Sequence, residues 1–308
     1  MKNGKIATVT VTYNRKELLK ENIEMILNQS IPADCIIIVD NNSTDGTKDE
    51  IMTKYNENNK IKYIYLDSNI GGAGGFYTGC KYAYENGYDW VILMDDDGKM
   101  KNEFTIENLF NELEIKNLTS NDKVMLNSLV LCNENELSFG LINLNDTVED
   151  IKKISDNNVV INKISPFNGT LISKSLIEKI GYPNKDFFIK GDEYDYYCRA
   201  MEAKAYIATV INSEYYHPKI KTKNTKTIRI FNKNISISIE APWKEYYRSR
   251  NYTYMYVRTD KIKLARKQCI KKLLATIIFK CEKVKTIKMI LKGYRDGKNG
   301  RLGATIKP

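Results

Sequence analysis

The sequence predicts an α/β domain built on a mixed, mostly parallel sheet with covering helices, followed by a C-terminal helical extension. Three observations carry that expectation. Short β-branched or aromatic runs alternate with segments of helical period through the first hundred residues, the pattern of βαβ units. Those runs end in polar and acidic residues, as strands do where an open sheet meets a ligand. The basicity is concentrated late in the chain: from Arg258 to Arg301, 15 Lys and Arg face only Asp260, Glu282 and Asp296, a surplus of +12 against +10 for all 308 residues. The remainder is therefore near −2, and the positive charge belongs to the tail. A hydrophobic content of 42% suffices for one large domain plus an appendage.

The first strand is expected over Ala7–Tyr13. Its alternation, and the polar residues ahead of it, lack the continuous apolar stretch of a signal peptide. A helix follows over Lys16–Asn28, with Leu19, Ile23, Ile26 and Leu27 at helical spacing behind an Asn14 cap. Ile36–Asp40, Lys62–Leu66 and Trp90–Asp95 are the next strands. Between the last two, Phe76, Cys80, Ala83 and Tyr84 form a helical stripe that Gly87 stops. Further on, Val124–Leu131, Leu137–Ile142, Phe167–Ile172 and Ala205–Ile211 read as strands and Ser173–Ile180 as a short helix. A Lys/Thr-rich connector over Pro218–Arg229 leads to two helical segments, Trp243–Arg258 and Ile262–Gly293. No run approaches the roughly 18 apolar residues needed to span a bilayer. The cysteines Cys35, Cys80, Cys132, Cys198, Cys269 and Cys281 lack zinc spacing and read as the reduced thiols of a cytosolic protein.

The motif most suggestive of chemistry is Val91-Ile-Leu-Met-Asp-Asp-Asp-Gly98, a buried-looking strand that runs into three carboxylates. Alternation points Asp95 and Asp97 to one side. Their repulsion is relieved if a divalent cation bridges them to a diphosphate; the alternative is an acidic turn before the next helix. Ile38-Val-Asp-Asn-Asn-Ser-Thr-Asp-Gly-Thr47 likewise ends a strand and offers Asp40 to a base or ribose, or is a plain loop. Asn69-Ile-Gly-Gly-Ala-Gly-Gly-Phe76 opens a helix whose free N–H groups can receive phosphate, unless its glycines serve close packing. It is not a dinucleotide fingerprint, because the third glycine position is Tyr77, and no Walker-type sequence exists. Asp192, Glu193 and Asp195 stand among aromatics, where Glu193 in a pocket would serve as base for a sugar hydroxyl; solvated helix-start acids are the alternative. His217, the only histidine, is by itself more often a packed residue than a ligand.

Taken in order, Thr12-Tyr-Asn-Arg15, Val39–Thr47, Asn69–Phe76, Met94–Asp97, Phe167-Asn-Gly-Thr170, Phe188–Glu193 and Tyr246-Tyr-Arg-Ser-Arg-Asn251 resemble family 2 glycosyltransferases of the Rossmann-like GT-A fold, over roughly residues 5–260. The galactofuranosyltransferase and rhamnosyltransferase branch is the most similar. The resemblance implies a nucleotide-sugar-binding half over 1–115, an acceptor-binding half of the same domain over 116–220, and a C-terminal helical basic region over 221–308. It implies donor contacts from Thr12, Tyr13, Arg15, Asp40, Asn69, Gly71, Gly72, Asp95 and Asp96. It assigns Mn²⁺ or Mg²⁺ to Asp95, Asp97 and His217, and the base to Glu193, with Asp192 as the alternative. The implied activity is inverting, metal-dependent hexosyl transfer, from UDP-galactofuranose first and dTDP-rhamnose second, to a hydroxyl of a growing surface glycan.

In the tail, Leu273, Leu274, Ile277, Ile278, Cys281, Val284, Ile287 and Leu291 can share one helical side ringed by Lys271, Lys272, Lys280, Lys283 and Lys285. Such a helix can lie on an anionic membrane, placing the protein peripherally on the inner face of the plasma membrane, or can dock on the catalytic domain. A glycan or polyprenyl-diphosphate-linked acceptor would bring lipid and negative charge to that surface. No nucleic-acid module accompanies the basic residues. A non-catalytic sugar-nucleotide or glycan-binding module, recruiting partners through the tail, is the alternative of a different class. An NAD-dependent oxidoreductase is disfavoured by the missing glycine and by acids that hydride transfer does not need.

Overall fold

The computed structural model describes residues 4–141, 146–219, 225–230, 233–238, 240–279 and 282–306. The chain divides into two compact units: residues 1–183 with 196–219, and residues 184–195 with 220–308.

In the first unit, β1 (Ile6–Thr12), α1 (Lys16–Leu27), β2 (Cys35–Asp40), α2 (Thr47–Lys54), β3 (Ile61–Tyr65), α3 (Gly71–Glu85) and β4 (Trp90–Asp95) form successive βα units. β1 pairs in parallel with both β2 and β4, and β2 with β3. The chain winds to β3 on one side of β1 and returns to β4 on the other, so a crevice opens at the carboxyl ends of β1 and β4. β1 and β2 are buried throughout, which explains their near-continuous Ile, Val and Ala content. Beyond β4 come β5 (Lys99–Met100), α4 (Thr105–Ile115), β6 (Val124–Leu131), α5 (Val148–Ile154), β7 (Val159–Ile161), β8 (Asn168–Ser173), α6 (Lys174–Ile180), a 3₁₀ turn, α7 (Asp192–Glu202) and β9 (Tyr206–Tyr216). The sheet runs β3-β2-β1-β4-β8-β6-β9-β5, with β7 on β9. β8 is antiparallel to β4 and β6, and β9 is parallel to β6, so the second half is mixed.

The glycine cluster is split in its purpose. A Cβ at Gly75 would collide with Val11, and one at Gly79 with Val9, so these two glycines let α3 lie against β1. Gly72 faces open space, and Gly71 adopts a φ of +78°. Packing therefore accounts for the later glycines but not for Gly72.

The second unit contains the two-stranded pair β10 (Thr225–Ile230) and β11 (Lys233–Ser238), then α8 (Pro242–Arg258), α9 (Ile262–Phe279) and α10 (Lys283–Lys298). Gly293 and Gly297 bring α10 against the backbone of α8 at Tyr246 and Arg250. Phe188, Tyr246 and Tyr247 form its small core, with Trp243, Met289 and Ile306 packed around them.

Several expectations need correction. Asn14 does not cap α1: its backbone is left-handed and its Oδ1 accepts the Thr44 N–H at 2.7 Å, tying the loop after β1 to the loop after β2. Leu137–Ile142 is not a strand over its described residues, where Leu137 makes only an isolated bridge to Leu131. Of the Lys/Thr-rich connector, Thr225–Arg229 belongs to β10, whose Thr225, Thr227, Ile228 and Ile230 are β-branched and suit a strand, and residues 220–224 lie outside the described residues. The final helical segment is two helices, α9 and α10; Lys280 and Cys281, like Ile142, lie outside the described residues.

Candidate active site

The acidic turn after β4 stands at the crevice beside β1. Asp96 is buried, takes the Thr12 hydroxyl at 2.8 Å and pairs with Arg15 Nη1 at 2.7 Å. Arg15 also reaches Asp97 at 2.8 Å. Asp97 meets His217 Nε2 at 3.2 Å. Ligand atoms of Asp95, Asp97 and His217 all lie within 4.8 Å of one another. Thus the histidine that local sequence leaves ambiguous joins the two acids of one strand end. The reason is register: β5 pairs antiparallel with β9 through Lys99 and Tyr216, which sets His217 beside the turn between β4 and β5.

The electrostatics follow. Burial alone pushes the Asp97 carboxyl up, but the hydrogen bond from His217 and the charge of Arg15 outweigh it and hold it below its usual range. Burial alone pulls the His217 imidazole down, yet Asp97 raises it above its usual value. Asp96 is raised chiefly by burial, with Arg15 and Thr12 opposing. His217 Nδ1 lies 2.8 Å from the Pro218 carbonyl, which can only accept. In the neutral ring the proton is therefore on Nδ1 and the Nε2 lone pair faces Asp95 and Asp97.

These groups fit a divalent cation. His217 Nε2 and Asp97 Oδ1, 3.2 Å apart, stand at about the spacing of two ligands on one cation, roughly 3 Å for bonds of about 2.1 Å. Two carboxylates and an imidazole are ligand types that a divalent cation accepts.

The other expected donor residues end or follow β1, β2 and β3 in the same unit. Asp40 is buried with both oxygens engaged, by the Ser43 N–H at 2.7 Å and by the Tyr63 hydroxyl, so it shapes the loop after β2. Tyr13 is exposed. Asn69 Oδ1 accepts the Gly71 N–H at 2.8 Å and stands with Gly71 and Gly72 at the start of α3. Asn168, whose place in the sheet is opposite Met94, has a buried Oδ1 without a hydrogen-bond partner among the described residues; the Phe167–Thr170 motif that contains it carries no local sign of a role.

In the second unit, Glu193 Oε2 accepts the Gly191 N–H at 3.0 Å, while Asp192 is buried. The preceding loop is held in an unusual shape, with positive φ at Phe188, Lys190 and Gly191. Asn251, fully buried on α8, clamps it: Nδ2 reaches the carbonyls of Phe187 at 3.0 Å, Ile189 at 2.9 Å and Lys190 at 2.7 Å. Arg250 donates to the Asp186 and Phe187 carbonyls at 2.9 Å each. The signal for these two was present in the motif Tyr246–Asn251, but nothing local said what they hold. Asp195 is paired with Arg258 at 2.9 Å, a structural role.

Residues 8–121 match the model described as glycosyl transferase family 2. Among curated relatives, galactofuranosyltransferase GlfT1 of Mycolicibacterium smegmatis is 28% identical over 221 residues, 69% of this chain and 70% of that one. The dTDP-rhamnosyl transferase RfbF of Shigella flexneri is 24% identical over 267 residues, 85% and 83% of the two chains. A solved mannosyltransferase, PcManGT from Pyrobaculum calidifontis in complex with GDP-Man and Mn²⁺, superposes with a TM-score of 0.58 at 13% identity, over 96% of this chain and 88% of that one. The fold is thus GT-A-like, as the strand order and motifs predict.

Proposed function

Since the chain carries a glycosyltransferase family 2 domain, we propose that it is a metal-dependent inverting hexosyltransferase acting on a nucleotide sugar. The observation that carries this reading is the convergence of Asp95, Asp97 and His217 at the carboxyl end of β4. UDP-galactofuranose is the first donor to test and dTDP-rhamnose the second, by likeness to relatives with those names. The acceptor is a hydroxyl of a growing glycan carried on a polyprenyl diphosphate.

Asp95, Asp97 and His217 would hold Mn²⁺ or Mg²⁺, which when bound neutralises charge on the departing diphosphate. Thr12 and Arg15 fix Asp96 and the acidic turn; Gly71 and Gly72 leave the start of α3 open to the donor. Glu193 takes the proton of the acceptor hydroxyl, whose oxygen bonds to the anomeric carbon as the bond to the diphosphate oxygen breaks on the opposite face. One displacement inverts the centre. Glu193 is favoured over Asp192 because it lines a cavity, whereas Asp192 is buried.

Among the described residues no helix is long and apolar enough to cross a membrane. Peripheral attachment on the cytoplasmic face remains our reading, supported by Ile270, Leu274, Ile277 and Ile278, which are exposed on α9 near the exposed Lys267 and Lys271. The stripe differs from the one expected: Leu273 and Ile287 are half-buried, and Lys272 turns inward to Glu245. Cosedimentation with phosphatidylglycerol but not phosphatidylcholine vesicles tests this part.

The central experiment incubates the protein with UDP-galactofuranose or dTDP-rhamnose, Mn²⁺ and a lipid-linked acceptor, and follows nucleotide release and the anomeric configuration of the product. Metal-dependent transfer with inversion is expected. Retention of configuration would overturn the single-displacement mechanism; metal-dependent binding without donor consumption would establish the non-catalytic module instead.

A further inference from the structure

The second unit forms an open-sided cavity of about 410 Å³ between α8, α9 and the turn at Gly191, within the size range of small-ligand sites. Glu245 lines it from α8 and is 1% exposed. Its Oε1 is satisfied twice, by Lys272 Nζ at 3.0 Å and by the Glu240 N–H at 2.8 Å. Its Oε2 is buried with no hydrogen-bond partner among the described residues. A carboxylate oxygen removed from water in this way calls for a donor, and a ligand in the cavity is the natural source.

The charges of the cavity decide what kind of donor. Its cations are already engaged: Lys190 with Glu240 at 3.0 Å, Arg248 with Glu240 at 2.7 Å, and Lys272 with Glu245. These three cations face two carboxylates, Glu240 and Glu245, and Glu193 on the same wall supplies a third, so the lining carries no net positive charge for a phosphate. The rest of the wall is hydroxyl and aromatic, including Ser249, Tyr252 and Tyr256. Tyr252 stacks on Tyr194 at 5.8 Å, which stiffens a ring able to take the C–H face of a sugar. Glu193 opens onto the same cavity.

We infer that this cavity is a subsite for a neutral sugar unit of the acceptor, held by a hydroxyl that donates to Glu245 Oε2 and stacked on Tyr252. The inference rests on the proposed transfer reaction only in calling the sugar an acceptor; occupancy of the cavity is independent of turnover. Glu245 is a binding residue in this scheme and takes no proton in the reaction. It selects which hydroxylated ring can sit beside Glu193.

Cys269 lines the same cavity and reports on its occupancy. The full-length protein, without donor or metal, is alkylated with N-ethylmaleimide, and modification of Cys269 is followed by peptide mass spectrometry. Octyl β-galactofuranoside or octyl α-rhamnoside, below its micelle concentration, should slow the labelling, and inorganic phosphate should not. Glu245→Gln replaces the acceptor oxygen, and the paired change Glu245→Met with Lys272→Met removes both ionic partners without stranding either. In both variants the glycoside concentration needed for half-protection should rise about tenfold, the factor expected for one lost charged hydrogen bond. Unchanged protection in both variants, no protection by either glycoside, or protection by phosphate instead would overturn the assignment. Protection that depends on Glu245 in a protein that never transfers sugar would uphold the subsite and reject the transfer reading.

Discussion

Asn251→Ala tests how the loop before Glu193 is held. In the folded protein Asn251 Nδ2 lies within hydrogen-bond distance of the carbonyls of Phe187, Ile189 and Lys190, and its Oδ1 accepts Arg250 Nε at 2.8 Å. The Phe187 carbonyl keeps Arg250 Nη2 at 2.9 Å after truncation. The Ile189 and Lys190 carbonyls and Arg250 Nε lose the partner the structure gives them. At about 1 kcal/mol or more for each stranded group, the loss is at least about 3 kcal/mol, a large part of the roughly 5–15 kcal/mol that separates folded from unfolded domains. The midpoint of thermal unfolding should fall by roughly 6–12 °C. Asn251→Asp separates hydrogen bonding from volume: it is isosteric but faces the carbonyls with a carboxylate, and should lose at least as much. The assay is circular dichroism melting alongside calorimetric titration of UDP with Mn²⁺. Asp95, Asp97 and His217 belong to the other compact unit, so metal-dependent nucleotide binding should survive where transfer is lost. Wild-type melting and transfer in both variants would refute the clamp.

Glu193→Gln should lower transfer by about 10²–10⁴-fold while leaving the UDP and Mn²⁺ titration unchanged; undiminished transfer would move the base elsewhere. Asp97→Asn removes both a metal donor and the partner of His217, so nucleotide binding should lose its response to Mn²⁺ and transfer should fall about a thousandfold. The pair also sets a pH dependence. His217 is raised, so its contribution to metal-free stability is complete below its usual value near 6.5 and is lost as pH rises through the folded value; Asp97 is lowered, so its contribution is present above about pH 4 and is lost as pH falls through its folded value. Metal binding needs the neutral ring, so Mn²⁺ affinity should climb as pH rises through the His217 titration, and His217→Gln should flatten that climb. Gly79→Val should cost roughly 1–3 kcal/mol by driving α3 from β1, whereas Gly72→Ala, with nothing within 4 Å of the added carbon, should leave melting unchanged; equal effects would undo the division of the glycine cluster.

What the sequence determined by itself is what neighbours along the chain can encode. The apolar runs of β1, β2 and β4 and their polar ends were legible because burial on both faces and a ligand-facing terminus leave a mark within a few residues. The same holds for Asp95 and Asp97, which share a strand end, and for the helical stripe of α3. Three-dimensional pairing decided the rest. His217 lies 120 residues past Asp97 and became a neighbour only through the register of β5 on β9. The glycine cluster looked uniform until β1 lay against it and separated the packing glycines from Gly72. Asn251 stood in a motif whose task was not legible, and nothing local marked Glu245. Their importance comes from what tertiary packing brings to them: three carbonyls for the one, and for the other a cavity that leaves a carboxylate oxygen without a donor. Periodicity records which face of an element is buried, but the partner that buries it is chosen by the whole chain.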